Sequence, residues 1–219
     1  MNKLLEDKFK KGKKGKILYG ADWYAKEEFY KKDTAKMRWA LVSKDIIPNS
    51  TSQNYLQQTQ ELKRYITDTV FKNEALPQEY KDAIDEFEQY YTNNFQGKTN
   101  PEIQQLLGGT NWPKYTQELG NLKINQLTRQ NPEEALYDSL MYFQQTGKRL
   151  LEKHYTWTKR RSSDGSLVSV GSFVADGAHV AAGALATPLP ISAFLSPAVC
   201  NFEFWILILL VVFVIINLG

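Results

Sequence analysis

The chain holds a single cysteine, Cys200, among 219 residues. An intrachain disulfide is therefore excluded, and so is any Cys-x-x-Cys pair for zinc or thiol redox chemistry. Histidine is nearly as scarce, with His154 and His179 alone. Positive charge is missing from the last quarter: all 27 lysines and arginines lie at or before Arg161, and only Asp164, Asp176 and Glu203 carry charge after it. The N-terminal lysines are followed by no apolar run, so a secretory signal is not expected.

What is present divides the chain by composition. Residues 1–16, "MNKLLEDKFKKGKKGK", set seven lysines against Glu6 and Asp7. Such a Lys/Gly run is expected to be a basic disordered arm. Phe9 alone interleaves the lysines, so base stacking and specific nucleic-acid recognition are not expected. Residues 17–180 have the mixture of charged and apolar residues of a packed domain. Residues 181–200 are rich in Ala, Gly and Pro and read as irregular, and 201–219 form a hydrophobic tail.

Within the body, "KILYGADWYAKEEFY" (16–30) predicts a strand and then a short helix. "RWALVSKDIIP" (38–48) alternates around Trp39, Leu41 and Ile46 and predicts a strand. "NSTS" (49–52) offers N-caps to a helix over 54–71, where Leu62, Ile66 and Val70 recur at helical spacing. Pro77 suits the first turn of a second helix carrying Tyr80, Ile84, Phe87 and Tyr91 on one face, with a loop at 93–100. A short helix follows from Asn100-Pro101 to Gly108-Gly109, then a connection over 119–130 with strand character. In "NPEEALYDSLMYFQQTGK" (131–148), Asn131 and Glu134 predict a capping box and Gly147 a left-handed C-cap. "RLLEKHYTWT" (149–158) turns β-like at its end, and Ser163-Asp164-Gly165 predicts a turn between two strands. The fold class is α+β.

Catalytic constellations are weak. Neither His154 nor His179 stands at a fixed spacing from a carboxylate or a Ser/Cys nucleophile, so a histidine enzyme is the least favoured reading. "GGT" (108–110) lacks the Gly-x-x-x-x-Gly-Lys of a phosphate loop. "EEFYKKD" and "DEFEQYY" are expected to be exposed helix faces rather than metal sites, and Trp39 and Trp157 core residues rather than ligand platforms. No cofactor or metal is expected.

Three stretches carry a resemblance: "WALVSKDIIPNSTSQNYLQQT" (39–59), "LKINQLTRQNPEEALYDSLMYFQQTGKRLL" (122–151) and "YTWTKRRSSDGSLVSVGSFVADGAHV" (155–180). Together they resemble a family of uncharacterised proteins from uncultured small-genome bacteria. Through the "YTWT…DG…VGSF…DG…V" pattern, that family's C-terminal half resembles the C-type-lectin-fold variable proteins of diversity-generating retroelements. The resemblance implies a C-type-lectin-like (formylglycine-generating-enzyme-like) scaffold and a noncatalytic role in binding and displaying a variable surface. The partner would be an unidentified protein or surface. The implied ligand face comprises Val174, Ala175, Ala178, His179, Ala181 and Ala182, with Gly171 and Gly177 at turns and Phe173 and Val180 as anchors.

From Ala181 the chain departs from that family's pattern. The resemblance implies Arg-Arg-Trp-x-Pro, polar variable residues and a final Leu-Gly-Val-Ser-Phe-Ser. "ISAFLSP" (191–197) can be encoded so that the neighbouring frame spells that ending: ATC TCG GCG TTT CTT TCT CCC contains CTC GGC GTT TCT TTC TCC. A one-nucleotide slip near Ala181 would make the tail read-through of unselected sequence.

Taken at face value, the tail is a membrane-anchor candidate. Its apolar run is Phe204, Trp205, Ile206, Leu207, Ile208, Leu209, Leu210, Val211, Val212, Phe213, Val214, Ile215 and Ile216. As a helix the uncharged stretch to Gly219 spans about 24 Å, against about 30 Å for a bilayer core. Pro188, Pro190 and Pro197 oppose backward extension of that helix. The expected location is the membrane if the tail is genuine, and the cytoplasm otherwise.

Overall fold

The computed structural model describes Asp7, residues 11–12, 15–20, 23–33 and 46–183, and the backbone of 191–192. Within these residues the protein is α+β: helices precede a small, mostly antiparallel sheet.

A 3-10 turn, Tyr24–Lys26, leads into α1, Glu28–Lys32. Helix α2, Tyr55–Tyr65, starts at a capping box. Asn54 Oδ1 accepts the Gln57 N–H at 2.8 Å, and Gln57 Oε1 accepts the Asn54 N–H at 3.1 Å. The cap is thus Asn54 rather than the expected "NSTS" stretch. There, Asn49 and Ser52 take positive φ of 61° and 59° and form turns instead. The predicted continuation to residue 71 is a π-helical turn over Ile66–Val70.

Helix α3, Gln78–Phe95, follows Pro77, which stands at the N-cap rather than inside the first turn. The helix runs into the predicted 93–100 loop and stops before Gly97, whose φ of 77° suits glycine. Helix α4, Asn100–Gly108, keeps its predicted bounds, with Glu102 Oε2 accepting the Thr99 N–H at 2.7 Å.

The 119–130 stretch is helical, which corrects the expected strand. It is covered by the end of α5, Trp112–Asn121, and by α6, Lys123–Thr128. The reason lies in its buried polar residues. Asn125 and Thr128 are fully buried and spend their hydrogen bonds on helix carbonyls, Asn125 Nδ2 on Leu119 O and Thr128 Oγ1 on Ile124 O. The apolar period is diluted accordingly.

Helix α7, Pro132–Thr146, has the predicted ends. Glu134 Oε2 accepts the Asn131 N–H at 2.9 Å, and Gly147 caps with φ 71°. Its buried side is Pro132, Ala135, Ser139 and Leu140, with Leu136 and Phe143 partly covered.

Strands β1 (Tyr155–Arg161), β2 (Leu167–Val174) and β3 (Gly177–Gly183) form an antiparallel meander, turned at 163–165 as predicted. The two-residue β4, Ile191–Ser192, pairs parallel to β1 and completes the order β3-β2-β1-β4. The expected domain boundary at 180 therefore falls inside β3, and residues 181–183 are strand.

Two layers cover the sheet. Leu167 and Trp157 enter the helical core with Tyr55, Leu56, Phe87, Phe95 and Leu119. Val168, one residue on and so on the opposite face, packs with Tyr24 and Phe29 of the N-terminal segment. Trp157 is buried as a core residue, its ring edge-on to Tyr55 at 6.1 Å. Trp39 and most of the expected 38–48 strand lie outside the described residues, as do the expected basic arm apart from Asp7, Lys11, Gly12, Gly15 and Lys16, and the whole 201–219 tail.

Candidate binding surface

The backbone of β3 is held on both sides at its start. On one side β2 pairs with it: Val170 lies opposite Val180 and Gly171 opposite His179. On the other, the N-terminal stretch runs parallel to it. Lys16 N donates to Ala175 O at 2.9 Å, Ala178 N to Ile17 O at 2.9 Å, and Tyr19 N to Ala178 O at 3.0 Å. Such pairing fixes a strand irrespective of its outward side chains.

Two glycines make the close approaches. A Cβ on Gly171 would collide with the His154 carbonyl and the Tyr155 backbone. Gly177, at φ 113°, sits against the Leu18 backbone. Between them β2 bulges at Ser172, which takes a positive φ of 45° while its N–H donates to His154 O at 2.8 Å. Both glycines therefore serve close packing, and Gly177 also serves the β2–β3 turn.

The six residues of the expected ligand face separate here. Ala175 and Ala182 are exposed, and Val174, His179 and Ala181 are half-buried. Ala178 is buried at 1% exposure and packs with Ile17, Leu140, Leu151 and Phe173, so it belongs to the core and presents nothing to a ligand. Its position explains this: it points under the N-terminal stretch that pairs with β3.

Sequence reasoning missed the aromatic side chains next to this strand. The Tyr19 ring stacks on the His179 imidazole, centroids 4.3 Å apart and 7° from parallel, yet Tyr19 stays 50% exposed. Trp23 (36%) and Tyr30 (41%) are also exposed, edge-on to Tyr24 at 5.7 and 5.5 Å. Tyr24 itself is buried, packs with Val168, Leu18 and Val180, and donates its hydroxyl to Tyr19 O and Gly20 O. The aromatic richness of residues 16–30 was the available signal; its pairing with a strand some 160 residues later was not.

The same segment is tied down by charge. Glu27 accepts the Ser163 N–H and hydroxyl, both at 2.8 Å. Asp33 Oδ2 stands 2.6 Å from Arg160 Nη2, off the line of a hydrogen bond, and is held by charge alone. Glu133, in the first turn of α7, buries Oε2 without a partner. Burial pushes its carboxyl up to about 7, and the Asp33 carboxylate adds to the rise.

Among the described residues no hydrogen bond joins the His154 or His179 ring to a carboxylate or hydroxyl, and no cluster of three or more His, Cys, Asp or Glu suits a metal ion. A shallow depression of about 600 Å³ near the end of α4 is lined by Lys98, Glu102, Gln105 and Asn111, and Glu102 there is occupied as a helix cap. No described helix is long and apolar enough to cross a membrane; the Phe204–Ile216 run is outside the described residues. Comparison with protein-family models, with curated proteins and with solved structures finds no significant match.

Proposed function

We propose that the protein is a noncatalytic binding and display protein on a C-type-lectin-like scaffold, with β3 and the adjoining aromatic segment as its recognition surface. The observation that carries the reading is the anchoring of the β3 backbone, by β2 along its length and by residues 16–19 at Ala175 and Ala178, beside side chains that reach solvent. A surface under variation needs a backbone whose position does not depend on the varied residues. Tyr19, Trp23 and Tyr30 supply rigid, amphipathic contact area of the kind that dominates protein interfaces, so the favoured ligand is a protein or a macromolecular surface.

In this reading Ala175, His179, Ala181 and Ala182 belong to the variable face, and residues from Ala181 onward follow a one-nucleotide frame slip. The gene and its neighbourhood test both parts. The expected finding is a reverse-transcriptase gene with a near-identical template repeat alongside, and codons at 191–197 that spell Leu-Gly-Val-Ser-Phe-Ser in the adjacent frame. Codons that cannot spell it would end the frame-slip reading. Absence of both neighbouring elements would remove the retroelement link.

The uninterrupted apolar run from Phe204 to Ile216 favours a second reading, a tail-anchored protein with a cytosolic domain. Membrane retention through high salt and alkaline wash, lost on deleting residues 201–219, is its expected result.

A further inference from the structure

We propose that residues 23–33 form a latched strap on the sheet face opposite the helical core, opening and closing as one unit while residues 16–19 stay paired with β3. The binding surface then has a permanent part, β3 with Tyr19, and a conditional part, Trp23 and Tyr30. That division rests on the binding reading above; the strap itself does not.

The two halves of the N-terminal stretch are held by different chemistry. Residues 16–19 share three backbone hydrogen bonds with Ala175 and Ala178. Residues 23–33 close their backbone hydrogen bonds on themselves: Glu27 N donates to Tyr24 O at 3.0 Å, Lys31 N to Glu27 O at 3.3 Å and Asp33 N to Phe29 O at 3.2 Å. Side chains join this half to the sheet. Tyr24 and Phe29 pack on Val168, with Leu18 and Val180 beside them. Glu27 accepts the Ser163 N–H and hydroxyl, and Asp33 pairs with Arg160. Glu28 and Lys32 are spent on each other, and the Lys31 ammonium on the Lys26 carbonyl.

The two links grip both ends of one element. Glu27 is the N-cap of α1 and Asp33 its C-cap, while Arg160 and Ser163 lie together where β1 runs into the turn to β2. Glu27 makes no capping hydrogen bond to its own helix, so its carboxylate serves the hairpin alone. A five-residue helix has too few internal bonds to persist by itself. Losing either link therefore loosens the whole helix, and only the two rings remain to hold it. A segment with so few buried contacts opens below the global unfolding free energy. Opening carries Trp23 and Tyr30 away and uncovers Val168. The ionic link is open to screening, since the Arg160 side chain is 45% exposed. The screening length falls from about 30 Å at 0.01 M salt to about 3 Å at 1 M, so salt favours the open form.

Hydrogen exchange of the full chain in about 0.02 M and about 0.5 M sodium chloride at one pH tests the strap without any ligand. The Glu27, Lys31 and Asp33 amides should exchange about threefold faster in the higher salt. The Ala178 amide, bonded to Ile17 O, and the amides of β2 should keep their rates, which shows that residues 16–19 stay paired and the domain stays folded. Arg160→Gln should raise the rates of all three strap amides about threefold in low salt. Glu27→Ala should raise those of Lys31 and Asp33 about tenfold. Three results would each overturn the strap: no salt effect on 23–33, a rise in each variant confined to the amide beside the altered link, or Ala178 loosening in step with the strap. A strap overturned in this way makes Trp23 and Tyr30 permanent parts of the surface and leaves the binding reading standing. A negative genetic result leaves the strap standing.

Discussion

The Arg129 guanidinium sits over the Tyr55 ring, 3.9 Å from its centroid, and both residues are fully buried. A cation at such a site needs partners, and each one it has is neutral. Its Nε donates to Asn125 Oδ1 at 2.8 Å, Nη1 to Gln58 Oε1 at 3.3 Å, and Nη2 to Tyr55 O at 3.4 Å and Thr59 Oγ1 at 3.3 Å. Burial lowers the guanidinium pKa, while an arginine keeps its charge inside a protein. The network ties α2 to α6 across some seventy residues of sequence.

Removing the cation should therefore cost more than removing an apolar side chain of similar reach. Arg129→Ala strips donors from Gln58 Oε1 and the Tyr55 carbonyl and leaves a cavity, an expected loss of about 3–5 kcal/mol. Arg129→Lys keeps the charge but lacks the planar fork that reaches four acceptors, and should recover only part of it. Urea denaturation of the three proteins checks the order. Equal midpoints for wild type and Arg129→Ala would show that the network adds nothing.

How much of this was legible beforehand depends on whether the signal was local. Asn131, Pro132, Glu134 and Gly147 are a complete set of helix-end instructions within seventeen residues, and α7 obeys them. The Ser163–Gly165 turn is equally local: Asp164 Oδ1 takes the Ser166 N–H at 2.9 Å and the Ser162 hydroxyl at 2.6 Å, so the turn holds itself. The 119–130 stretch failed because its buried side includes Asn125, Thr128 and Arg129, and a polar residue that finds partners only after folding looks like surface. The candidate surface failed differently. Tyr19 and His179 meet through a parallel pairing between chain segments far apart in sequence, and no spacing rule reports such a contact. Ala175 and Ala182 are exposed, whereas the burial of Ala178 depends on that distant neighbour.

Two glycines should respond to alanine for different reasons. At Gly171 the added methyl would meet the His154 carbonyl oxygen and the Tyr155 Cα, both fixed backbone, so β1 and β2 must separate. At Gly97 nothing lies in the way, and the cost is the backbone angle alone, φ 77°. The expected losses are about 1–2 kcal/mol for Gly97→Ala and clearly more for Gly171→Ala, at or above the upper end, about 3 kcal/mol, of what overpacking a core costs. Thermal denaturation orders them, and a Gly171→Ala protein as stable as wild type would show that the strands can part freely.

The place where a shortened chain stops folding tests which C-terminal residues the domain uses. The four described core clusters draw their residues from positions 17–180. Yet β2 depends on β3 beyond that limit: Ser169 pairs with Ala181, Val168 with Ala182 and Leu167 with Gly183. Leu167 and Val168 are fully buried on opposite faces, so loosening this end of β2 disturbs the helical core and the aromatic layer together. A chain ending after Val180 should therefore lose several kcal/mol, a large part of the 5–15 kcal/mol typical of a domain. A chain ending after Ser192 retains β3 and β4 and should melt within a few degrees of the full chain. If both truncations melt together with the full chain, the last three residues of β3 add nothing to β2, and the β2 pairing that supports the binding surface is confined to residues 177–180.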